Sequence, residues 1–92
     1  MQTAAPIAIY GHKPVGAAAA ELTTNTARLN NGVSIKALAA NAHDVFVGDS
    51  AVTTATGYPL SAGQEHLFRV MDASTLYVIG TAGTDAVAFE GS

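Results

Sequence analysis

Turn-forming residues interrupt this chain about every eight to twelve residues, a spacing that leaves room for short strands and little else. The clearest are Asn30-Asn31-Gly32, Gly48-Asp49-Ser50, Ser61-Ala62-Gly63-Gln64, Asp72-Ala73-Ser74-Thr75 and the stretch Gly80 to Asp85. Between them apolar residues alternate with period two, which places successive side chains on opposite faces of a sheet. In Val33-Ser34-Ile35-Lys36-Ala37, Val33, Ile35 and Ala37 are expected to face a core, with Ser34 and Lys36 outward. Val45-Phe46-Val47 reads as a short buried strand, His66 to Val70 as extended, and Leu76-Tyr77-Val78-Ile79 as a strand. Ala86 to Phe89 is expected to be the last strand, with Val87 and Phe89 on one face. Ala51-Val52-Thr53 is a further short-strand candidate. Tyr58-Pro59-Leu60 is expected to break regular pairing, because proline has no N–H to donate.

The first thirty residues carry weaker signals. Ile7-Ala8-Ile9-Tyr10 reads as a strand and Gly11-His12-Lys13-Pro14 as a turn. Val15 to Leu22 contains four consecutive alanines, the strongest helix formers. Gly16 on one side and Thr23-Thr24-Asn25-Thr26 on the other favour an extended strand or arm, and the helix alternative stays open. No helical pattern separates the strands, so a parallel α/β sheet is not expected. The expected fold is all-β. It is a single domain over 1–92, a small antiparallel β-sandwich or barrel, jelly-roll-like, of about seven or eight short strands. Its best-defined core spans 32–89, and residues 1–10 form an N-terminal arm or strand.

A domain of 92 residues buries only roughly 60–65% of the surface its unfolded chain exposes, so its stability margin is thin. Small domains often add a staple or a partner. The chain has no cysteine, which excludes disulfides and a Cys/His zinc cluster. Charged residues make up 12% of the chain against roughly 25% in ordinary soluble domains. A surface so poor in charge and rich in Ala, Thr and Gly suits partial cover by another protein. Net charge is −3, and the four cations Lys13, Arg28, Lys36 and Arg69 are scattered singly. Nucleic-acid binding, which needs several phosphates neutralised together, is not expected. No apolar run approaches the ~20 residues of a membrane span, and the N-terminus lacks a signal-peptide pattern. The expected compartment is therefore cytosol-like.

Catalytic signals are weak. His12, His43 and His66 lie far apart in sequence, and Asp44 beside His43 would point to the opposite face of a strand, so a solvated turn pair is the expectation there. Gly48-Asp49-Ser50-Ala51-Val52 lacks the second glycine of a nucleophile elbow. Asp49, Asp72 and Asp85 are expected to cap local backbone groups, because none sits in a dense calcium loop. Gly80 to Thr84 lacks a phosphate-loop lysine and reads as a hairpin loop. No catalytic, cofactor-binding or metal residue is assigned, and the chain is not expected to be an enzyme. Tyr58-Pro59 is an aromatic–proline pair of the kind that packs across a strand edge or anchors an interface.

Several of these turn-and-strand segments occur together in a recognisable order. They are Asn31 to Ala37, Asn41 with Val45 to Gly48, Gly57-Tyr58-Pro59-Leu60 with Gly63, and Asp72 to Gly80. From about Gly32 to Phe89 the chain resembles a family of small tailed-bacteriophage structural proteins, whose genes typically lie beside that of the major capsid protein. The resemblance implies a virion component made in the host cytoplasm, a decoration or cement protein on the outer capsid surface. Its implied partner is the major capsid protein, and the implied homo-oligomer is a trimer. Two contact regions are expected: an arm from Gln2 to Tyr10, carrying Ile7, Ile9 and Tyr10, and the segment Tyr58, Pro59 and Leu60. The rival readings are a head-fibre base, neck or tail component, and a host-surface module that binds carbohydrate.

Overall fold

A computed structural model describes residues 7–81 and 84–92 of the chain. Eight strands appear in order: β1 (Ile9–Pro14), β2 (Ala20–Glu21), β3 (Val33–Ala37), β4 (Val45–Gly48), β5 (Tyr58–Leu60), β6 (Glu65–Phe68), β7 (Tyr77–Ile79) and β8 (Ala86–Gly91). They form two four-stranded antiparallel sheets of order β1-β8-β3-β6 and β2-β7-β4-β5. Pairings β1–β8, β2–β7, β3–β6 and β4–β5 run the length of a double ribbon, and β3–β8 and β4–β7 join its coils side by side. A ribbon rolled in this way is a jelly roll, and here it stays an open two-sheet sandwich.

The core lies between the sheets. Ile9, Val33, Ile35, Ala37, Val87 and Phe89 face inward from one sheet, and Val45, Val47, Leu60 and Val78 from the other. Connections add Val15, Leu22, Leu29 and Leu76. In β3 the alternation runs as its sequence implies, with Val33, Ile35 and Ala37 buried and Lys36 exposed. Most of these side chains are valine, leucine or isoleucine, and burial of each contributes about 1.5–3 kcal/mol.

Four expectations need correction. Gly11 to Pro14 is not a turn but the continuation of β1, paired with Ala86 to Phe89. A residue without a side chain fits closely there because the Phe89 ring lies against Gly11, where a Cβ would meet Cζ at a tight 3.1 Å. Tyr58 to Leu60 is a strand after all. It lies at the edge of its sheet, where a proline without an N–H is tolerated. Ala51 to Thr53 is not a strand; Val52 is buried by packing over Gly48 and Gly57 in a looped connection. The extended run at His66 starts one residue earlier and stops at Phe68, because the Val70 N–H turns back to donate to the Phe68 carbonyl at 3.0 Å.

The alanine run forms no helix, and only Ala20 and Glu21 pair, with Val78 and Tyr77. Ile9 and Tyr10 belong to the sheet rather than to a free arm. Residues 2–6 of the expected arm lie outside the described residues. Asp72 caps a 3-10 turn over Ala73–Thr75 by accepting from the Ser74 N–H at 2.9 Å.

Gly32 enters β3 with φ at +96°, and a Cβ there would run into the Phe68 carbonyl oxygen of the neighbouring strand. Gly32→Ala is expected to destabilise the domain by about 1–3 kcal/mol, read as a lower denaturant midpoint. Gly16→Ala, at a site with open space around the glycine, should leave the midpoint within about 0.5 kcal/mol of wild type.

Candidate functional site

The alternation that buries Ile35 and Phe89 turns the other half of the β1-β8-β3-β6 sheet to the outside. Two rows cross this outer face: Tyr10, Glu90, Ser34 and Leu67 stand opposite one another in register, followed by His12, Ala88, Lys36 and Glu65. The small Ser34 and Ala88 leave the centre low, and the longer chains around them make walls. The result is a shallow groove of about 350 Å³ bordered by Tyr10, His12, Lys36, Glu65, Glu90 and the preceding Ile7.

Tyr10 is 79% exposed and Ile7 56%, large apolar bodies at the rim, Tyr10 on paired strand β1 and Ile7 just before it. Charges of both signs lie between them, and the Ser34 hydroxyl donates to Glu65 Oε2 at 2.8 Å. A tyrosine with an apolar ring and a polar tip, set among alternating charges, suits contact with another macromolecule.

A second exposed cluster closes the opposite side of the sandwich. Tyr58 of β5 stacks on His66 of β6 with ring centroids 4.4 Å apart, and Phe68 meets both edge-on at 5.7 and 4.9 Å. Tyr58 Oη lies 3.3 Å from His66 Nδ1. β5 and β6 are edge strands of different sheets, so these rings bridge the two layers where no strand covers the core.

The six residues expected at an interface therefore separate into three groups. Ile7 and Tyr10 border the groove. Tyr58 and Pro59 are exposed on the far edge, at β5. Ile9 and Leu60 are core residues, and the expectation that they contact a partner is corrected: strand alternation turns both side chains inward. The structure does not unite the β1 and β5 residues in one patch, since these strands lie at opposite edges of the sandwich. His12, Ser34, Lys36, Ala88 and Glu90 were not singled out, although the outward phase of β3 and β8 points to them.

A polar latch holds the β3–β4 connection against the start of β8. The Asn41 side chain donates to the Ala86 carbonyl and accepts from the Ala86 N–H, both at 2.9 Å. Asp85, 2% exposed, accepts from the Ala42 N–H at 2.9 Å and lies 3.1 Å from His43 Nδ1. His43 thus finds its carboxylate 42 residues away rather than in neighbouring Asp44, and Asp85 caps a distant loop rather than its own turn. His43 remains 51% exposed, and the arrangement offers no third ligand. Among the described residues no group of three or more His, Asp or Glu side chains converges to hold a metal ion, and no helix is long and apolar enough to cross a membrane.

No family model matches the chain, and neither a curated protein nor a solved structure does.

The Ala42 N–H is the main influence holding the Asp85 carboxyl below its ordinary 3.8; burial opposes it and the His43 side chain assists it. A carboxyl with a lowered folded pKa stabilises the fold above its unfolded value and loses that contribution as pH falls through the folded one. Asp85→Ala should lower the denaturant midpoint at pH 7, with a deficit that shrinks below about pH 4. A deficit unchanged between pH 7 and pH 2 would contradict this. Asn41→Ala should cost about 1–3 kcal/mol at any pH, because it leaves the Ala86 N–H without its acceptor, while the Ala86 carbonyl keeps the Leu38 N–H.

Proposed function

We propose that the protein is a non-catalytic binding domain that decorates the outer surface of a tailed-bacteriophage capsid and stabilises the shell. The observation that carries this reading is the outer face of the β1-β8-β3-β6 sheet, with Tyr10 and Ile7 displayed beside charges of both signs. Strand β1, paired along its length with β8, fixes the backbone under Tyr10, so little ordering entropy opposes docking there. The resemblance over 32–89 supports this reading: it implies the major capsid protein as the partner and a homo-oligomer in the virion. A shell repeats its binding site many times, so a modest contact at each copy reinforces the whole.

One feature favours a second reading. Tyr10 borders a groove lined by Glu65, Glu90 and Ser34, and a ring beside several hydrogen-bonding side chains is also how proteins hold sugars. Binding of the isolated domain to a defined glycan, lost in Tyr10→Ser, would favour a host-surface carbohydrate module over the capsid reading.

Shells loaded with the protein should withstand heating and osmotic shock better than bare shells. Tyr10→Ser should weaken binding to shells by about five- to tenfold or more, measured by co-sedimentation, with the melting temperature of the free domain nearly unchanged. Equal resistance of loaded and bare shells would contradict the proposal.

A further inference from the structure

The geometry points to a homodimer in which the free edges of β6 from two copies pair antiparallel about a twofold axis at Leu67, joining their sheets into one. The Ala37 N–H donates to the Gln64 carbonyl at 2.9 Å, and the register pairs Ile35 with His66 and Val33 with Phe68. Hydrogen-bonded pairs alternate along an antiparallel ladder, so residues 64, 66 and 68 aim their backbone at β3. Glu65 and Leu67 therefore present N–H and C=O groups to the side where no strand follows.

The other three edges are less suited to pairing. β2 has two residues, β5 carries Pro59, and β1 ends in Pro14. Edges blunted by shortness or proline resist pairing. The β6 edge instead complements itself. Two antiparallel copies of Glu65-His66-Leu67-Phe68 centred on Leu67 set Leu67 opposite Leu67 and bring each Glu65 beside the second copy's Arg69, the residue just past the strand, where the chain begins its turn. Same-face neighbours of this kind, opposite charges flanking an apolar pair, are what stabilise cross-strand pairing. Leu67 is 42% exposed, and among the described residues Arg69 has no carboxylate within salt-bridge distance. On the inner side, His66 would meet the second copy's Phe68, bringing two Tyr58–His66–Phe68 clusters together over the seam.

The axis stands perpendicular to the sheet, so both outer faces point the same way. Two Tyr10 patches would sit about seven strand spacings apart, roughly 34 Å. The inference goes beyond the capsid reading and replaces the threefold association implied by the resemblance with a twofold one. It concerns the free chain, so it can fail without the capsid reading failing.

Sedimentation of the full chain from micromolar to millimolar concentration should show a species of twice 9.3 kDa. Glu65→Arg or Arg69→Glu alone places like charges beside one another twice per dimer. Each should weaken dimerisation about tenfold or more, with circular dichroism confirming that the domain is folded. The double variant E65R/R69E should restore it to within about threefold, and L67K should leave only monomer. Because the chain has no cysteine of its own, Leu67→Cys should cross-link on oxidation, as a disulfide spans the separation of directly paired residues. A monomer at every concentration, a trimer, or a dimer indifferent to the charge swaps would overturn the inference.

Discussion

Strand β8 holds this domain together by pairing with β1 on one side and β3 on the other. β8 and β1 come from opposite ends of the described chain, so the ladder closes the rolled ribbon and brings Ile9, Val33 and Gly91 into one row. The Phe89 ring over Gly11 locks that closure from within, and the Asn41 and Asp85 bonds fix where β8 begins. The outer face follows from the same ladder, because Tyr10, Glu90 and Ser34 stand in a row only while β8 lies between β1 and β3.

A second consequence concerns the margins of the sandwich. A small core of aliphatic side chains, with no disulfide, leaves little stability in reserve, and two open sheets leave four strand edges. Tyr58, His66 and Phe68 cover the core at one margin by stacking across the layers. The β6 backbone beside them stays unmatched. Exposed apolar residues collect at the places where a second molecule would add most: Ile7 and Tyr10 beside β1, and Leu67 and Met71 at and beyond β6.

Much of the architecture was legible in the sequence because it rests on local signals. Period-two runs mark β3, β4, β7 and β8, and the turns between them fall where Gly, Asn, Asp and Ser cluster. Several of the errors trace to contacts distant in sequence. Gly11 looks like a turn residue until Phe89 is seen to need the space, and Pro59 looks like a breaker until β5 proves to lie at an edge. Asp85 reads as a local cap because nothing near it in sequence reveals Ala42 or His43. Of the expected contact residues, Ile9 and Leu60 were misplaced by ignoring the inward phase of their strands; Ser34, Lys36 and Glu90 of the groove were not among those expected, although the outward phase of β3 and β8 points to them.

The central claim is that this domain acts by laying the outer face of its β1-β8-β3-β6 sheet on a capsid shell. Cryo-electron microscopy of shells carrying the protein tests it most directly. The account predicts density for the sandwich at repeated positions across the capsid surface, with Tyr10 and Ile7 at the contact. Density confined to a portal vertex or tail, or a domain seated with that face turned to solvent, would contradict it.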